Sequence, residues 1–138
     1  MADLHRFVDA QEGVHERALS ELTAGDKRSH WMWFVFPQLA GLGRSDTARR
    51  YALASLDEAR DYLAHPVLGA RLRECTRAVL AVRDRTAEQI LGGVDAQKLR
   101  SSMTLFALAA PDETLFREVL DRYYDGAPDP LTEELLTR

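Results

Sequence analysis

A single cysteine, Cys75, in 138 residues excludes an intrachain disulfide, so the chain must be held together by its core alone. Long hydrophobic runs are missing as well: Trp31 to Phe36, as long as any, is six residues, against the roughly 20 that a membrane helix requires. No secretory leader pattern opens the sequence, and the chain therefore reads as a cytoplasmic protein with no membrane partner. The four histidines, His5, His15, His30 and His65, show no short metal-ligand spacing, and beside one cysteine they predict no zinc site. No serine stands in a nucleophile elbow. Neither a dinucleotide fingerprint nor a P-loop is present, so no cofactor is expected.

What is present reads as helix almost throughout. Leu4, Phe7 and Val8 fit a short first helix behind Asp3, and Val14, Ala18 and Leu22 line one face of a second near residues 13–24, ended by Gly25. Ser45 or Asp46 starts a helix to about Leu53, and Ser55 with Glu58 has capping-box spacing for the next, which Pro66 stops at His65. Pro66 opens a long helix whose apolar face includes Leu68, Leu72, Cys75, Val79 and Val82. Thr86 and Gln89 repeat the capping-box spacing before Gly92-Gly93, and Asp95 suits the cap of a helix to about Ala109. Further helices follow from Pro111 to Gly126 and from Asp129-Pro130. The expectation is an all-α, compact single domain of seven or eight helices spanning residues 1–138. At that length a chain buries roughly two thirds of its unfolded surface, enough for one core. Trp31 to Phe36 fits either a buried strand or a short buried helix. Helix is preferred, because a lone strand would leave its backbone groups unpaired.

The net charge of −4 hides an uneven distribution. Residues 26–50 carry five basic against two acidic side chains and residues 71–110 seven against four, whereas residues 111–138 carry three against eight. The aromatic block lies in the first of these positive stretches. Both tryptophans and two of the five phenylalanines fall within Trp31 to Phe36, preceded by Lys27, Arg28 and His30 and followed by Gln38 and the turn Gly41-Leu42-Gly43-Arg44-Ser45. Cations beside aromatic rings suit an anion joined to a flat group. A glycine turn leading into a helix N-terminus offers backbone N–H groups to the same anion. In the second positive stretch Lys98, Ser101 and Ser102 share one helix face at i, i+3 and i+4. Cys75, on an apolar face, reads as core, and His65 before Pro66 as a capping residue.

Three segments carry a resemblance: His-Trp-Met-Trp-Phe-Val-Phe-Pro-Gln-Leu with Gly-Leu-Gly-x-Ser (30–45), Asp-Glu-Ala-Arg-x-Tyr-Leu-x-His-Pro-Val-Leu-Gly-x-Arg-Leu (57–72) and Asp-x-x-Lys-Leu-Arg-Ser-Ser-Met-Thr-Leu-Phe (95–106). With Arg-Phe-Val-x-Ala-Gln (6–11), they closely resemble the bacterial family called domain of unknown function 1810. The resemblance implies a compact helical domain and brings no catalytic set. Some members are labelled calpastatin; that inhibitor is a disordered repetitive chain, and the label is not carried over.

The residues themselves point to a pocket for a small anionic, nucleotide-like molecule. Lys27, Arg28, Arg44 and Lys98 would neutralise it, Gly41, Gly43 and Ser45 would offer the turn, Trp31 and Trp33 would stack, and Gln38, Ser101 and Ser102 would orient. His30 is the one candidate for acid/base work. Two other readings stand: a module meeting a protein partner through an aromatic and arginine surface, and, third, nucleic-acid binding through Arg71, Arg73, Arg77, Arg83 and Arg85.

Overall fold

The computed structural model describes residues 3–137, and among them ten helices: α1 His5–Gln11, α2 His15–Thr23, α3 Met32–Val35, α4 Asp46–Arg50, α5 Leu56–Ala64, α6 Leu68–Ala81, α7 Ala87–Leu91, α8 Gly93–Ala109, α9 Leu115–Tyr124 and α10 Pro130–Leu136. The starts lie where the capping residues place them. Ser45, Ser55 and Asp129 each accept a backbone N–H three residues on, and Thr86 and Gln89 form a complete capping box. His65 Nδ1 takes the N–H groups of Val67 and Leu68 at 3.1 and 3.2 Å and so begins α6. Asp95 does not cap α8. It lies in the first turn, two residues after a helix start at Gly93.

Within Trp31 to Phe36 the chain forms a single helical turn, α3 (Met32–Val35), flanked by Trp31 and Phe36. The chain after it passes through a lone parallel bridge between Leu39 and Leu53, in which Gln38 O accepts from Leu53 N at 2.9 Å and Leu53 O from Ala40 N at 2.7 Å. This bridge is why α4 ends at Arg50 and does not reach Leu53. Arg6 ties α1 to the same region by donating to the carbonyls of Arg50 and Ala52, at 2.7 and 2.9 Å.

The core is arranged around α8. Every residue from Ser101 to Ala107 is buried, and α5, α7, α9 and α10 pack around the helix, while α6 joins α2, α5 and α9 behind it. Tyr62, Phe106 and Phe116 stack in sequence, with ring centroids 5.6 Å apart at each step.

Hydroxyls on this buried helix need partners, and Asp129 supplies them. Its carboxylate accepts from Ser101 Oγ at 2.8 Å, Thr132 Oγ1 at 2.6 Å and Gln97 Nε2 at 3.2 Å, and its own N–H donates to Thr104 Oγ1 at 2.9 Å. Asp129→Ala removes the α10 cap and strands buried donors, so it is expected to cost about 2–4 kcal/mol. The check is the shift in urea midpoint with far-UV circular dichroism of the native state unchanged.

Candidate functional site

The link from α2 into α3 is built by Gly25. Its φ of +70° favours glycine, and its approach to Val82, where a Cβ would lie 3.0 Å from Cγ1, leaves little room for a side chain. The turn sends the next residues against the end of α7, where Lys27 N donates to Ile90 O at 2.8 Å. Lys27 therefore arrives beside the first turn of α8. Its ammonium meets Asp95 Oδ2 at 2.8 Å and Ser29 O at 2.6 Å, with the side chain only 8% exposed. A cation so enclosed needs its counter-ion.

Lys98, one turn along α8, reaches the other oxygen of the same carboxylate at 3.4 Å. Two ammonium groups thus share one carboxylate, leaving one positive charge over. Each also lies against a tryptophan: Lys27 Nζ is 5.0 Å from the Trp31 ring centroid and Lys98 Nζ 4.6 Å from that of Trp33. Trp33 is half-buried. Ser102, a further turn along α8 from Lys98, is fully buried with no hydrogen-bond partner for its Oγ.

Trp31 is held from the opposite side by Glu21 of α2. That carboxylate accepts from Trp31 Nε1 at 2.9 Å, Arg28 N at 2.8 Å, Ser29 N at 3.0 Å and Ser29 Oγ at 2.6 Å. Burial pushes its pKa upward, but the hydrogen bonds from Ser29, Arg28 and Trp31 outweigh that and hold it at about 2, against an ordinary 4.5. Neither Glu21 nor Asp95 stands out in the sequence as a site residue. The signal for Glu21 would have been the need of a buried indole N–H for an acceptor.

Of the predicted site residues, Lys27, Trp31, Trp33 and Lys98 come together, with Ser102 on the same face of α8. Others are placed differently. Trp31 is fully buried with its N–H on Glu21, so it is a wall behind Lys27 and has no open face for stacking. Arg28 is 79% exposed and pairs with Asp26 at 2.8 Å. His30 and Arg44 are exposed, and Gln38 is half-buried in the bridge segment. Gly41 lies against Leu135, and Gly43 is needed because a Cβ there would fall 2.4 Å from that of Ala48. Ser45 accepts from Ala48 N at 3.1 Å. The glycine turn is thus a close-packed start to a five-residue helix. Ser101 turns to Asp129 and not toward Lys98.

Cys75 is core, as its apolar face implied. Its Sγ lies 3.8 Å from His15 Nδ1, whose Nε2 meets Glu74 at 2.7 Å. The order carboxylate, imidazole, thiol is that of a nucleophilic triad, but burial, reinforced by Glu74, pushes the thiol up to about 12, which leaves it protonated and inert at neutral pH.

The chain belongs to the family described as "Protein of unknown function (DUF1810)", which it matches over residues 1–136. The crystal structure at 1.38 Å of the conserved hypothetical protein Rv1873 from Mycobacterium tuberculosis superposes with a TM-score of 0.97. The two are 52% identical, over 99% of this chain and 97% of that one. No match is found among curated proteins.

The Glu21 cage makes a pH prediction. A carboxyl held at about 2 in the fold and titrating near 4.5 in the unfolded chain contributes stability that is full above 4.5 and fades as the pH falls toward 2. Glu21→Gln should therefore lower the melting temperature at pH 7 and flatten its fall between pH 4.5 and 2. Parallel acid limbs for the two proteins in thermal melts would show that Glu21 is not the titrating group.

Proposed function

We propose that this domain binds a small anionic molecule bearing a flat group, of nucleotide type, at the cluster of Lys27, Asp95, Lys98 and Trp33. The observation that carries the reading is the sharing of one aspartate by two lysines. Lys27 is the tight, enclosed partner of Asp95, at 2.8 Å. Lys98, at 3.4 Å and 21% exposed, is the looser one and has its charge to offer. An anion bound there would be met by a charge-assisted hydrogen bond, with the indole of Trp33 beside it for a flat group.

Binding is the function proposed, without a reaction. His30, the one candidate acid or base, is exposed on the turn before Trp31, and no nucleophile among the described residues pairs with it. The protein-partner reading needed an outward aromatic patch, and Trp31 does not contribute one. Nucleic-acid binding needed a continuous basic face. Arg71 donates to Gln11 at 3.4 Å and Arg73 pairs with Glu113 at 2.7 Å, which divides the arginines of α6 among different tasks.

Adenosine monophosphate, ribose 5-phosphate and inorganic phosphate form a series for thermal-shift and tryptophan-fluorescence titration. The expected order of affinity follows that sequence, and ligand at 100 times its dissociation constant stabilises by about 2.7 kcal/mol. Lys98→Ala is expected to weaken adenosine monophosphate about tenfold or more, the worth of a hydrogen bond to a charge. No shift from any of the three, or one that survives Lys98→Ala unchanged, rejects the site. Ser102→Ala, which removes a buried unpaired hydroxyl, should leave the ligand-free protein equally or more stable in urea.

A further inference from the structure

We infer a second site, where α8, α9 and α10 meet, for a free α-amino acid with an apolar side chain. A cavity of about 220 Å³ opens there, its apolar lining including Ala107, Leu108 and Leu120, with Arg117, Asp121 and Glu133 also among its lining residues. Drug-sized ligands occupy roughly 300–1,000 Å³, so this one takes something smaller than a nucleotide.

The charges are what identify the ligand. Arg117 and Asp121 are four residues apart on α9, a spacing at which opposite charges commonly pair. Among the described residues neither pairs with the other, and Glu133 has no ion pair either. One guanidinium and two carboxylates, all uncommitted, border an apolar floor. A zwitterion satisfies them together: its carboxylate on Arg117, its ammonium between Asp121 and Glu133, and its side chain on the floor. A plain anion would face two carboxylates, and a plain amine would leave Arg117 unused.

The wall opposite α9 is already rigid, which reduces the ordering cost of binding. Arg100 donates to the carbonyls of Ala127 and Pro128 at 3.1 and 2.9 Å, and Gly126 N donates to Leu120 O at 3.0 Å. Asp129 N is fixed on Thr104 Oγ1. Gly126 also leaves room for Asp121, since a Cβ would lie 3.1 Å from Oδ1. Along α8, Leu108 lies ten residues from Lys98, about 15 Å at 1.5 Å per residue. The two sites are separate.

Isothermal titration with L-leucine, glycine, 4-methylpentanoate and isopentylamine tests the assignment. Leucine is expected to bind saturably and each of the other three at least tenfold more weakly, since each lacks one of the recognised parts. Arg117→Gln should abolish leucine binding and leave that of isopentylamine; Asp121→Asn with Glu133→Gln should abolish leucine binding and leave that of 4-methylpentanoate. All three side chains are exposed, and unchanged melting temperatures would show that the variants fold. Lys98→Ala should leave leucine binding intact, which separates this site from the anion cluster. No saturable leucine binding, or leucine binding unaffected by these charge changes, overturns the inference.

Discussion

A helix without a solvent face has to be enclosed, and α8 is such a helix from Ser101 to Ala107. The rest of the fold follows from that constraint. α8 has 17 residues, whereas five of the other nine helices have fewer than nine. Short pieces joined by tight turns can surround a cylinder; a few long antiparallel helices would leave one side of it open. Burial also takes Ser101, Ser102 and Thr104 out of water, where each hydroxyl costs free energy unless it is hydrogen-bonded. Thr104 returns its proton to Arg100 O and receives Asp129 N, and Ser101 donates to Asp129. The position of α10 is thus set as much by the polar needs of α8 as by apolar contact.

The same enclosure decides where charge can stand. Along the middle of α8 a charge stands only where it is hydrogen-bonded, as the Asp129 carboxylate is by Ser101 and Arg100 is to the carbonyls of Ala127 and Pro128. At the N-terminal end Asp95 lies in the first turn, where the helix dipole favours an anion. Its carboxylate balances Lys27 and Lys98 together. Lys27 is brought there by the Gly25 turn and its bond to Ile90 O, a route that depends on the end of α7 and on nothing local to Lys27.

Helix starts were legible because their physics is local. Ser55 with Glu58, Thr86 with Gln89 and Asp129 with Pro130 specify themselves within four residues. What escaped the sequence is long-range. Glu21 lies ten residues before the indole it holds, and Asp95 lies 68 after Lys27; neither spacing has a local signature. The reading of Asp95 as a cap failed because its carboxylate is held by two lysines, one of them from the α2–α3 link. Gly41, Gly43 and Ser45 pose the opposite difficulty. A tight turn packed on Ala48 and an anion-binding turn use the same residue types, and only the space around Gly43 distinguishes them.

The physical mark that separates a binding site from well-packed core is stability forgone. Arg6, Asp129 and Glu21 satisfy many backbone and side-chain groups each, and they answer needs that the fold itself creates. Ser102 does not: its buried hydroxyl has no partner, which weakens the fold by about 1–3 kcal/mol. Lys98 is held by Asp95 and by the Trp33 ring, but it shares that carboxylate with Lys27, so one positive charge is left over, and an anion beside Lys98 would balance it.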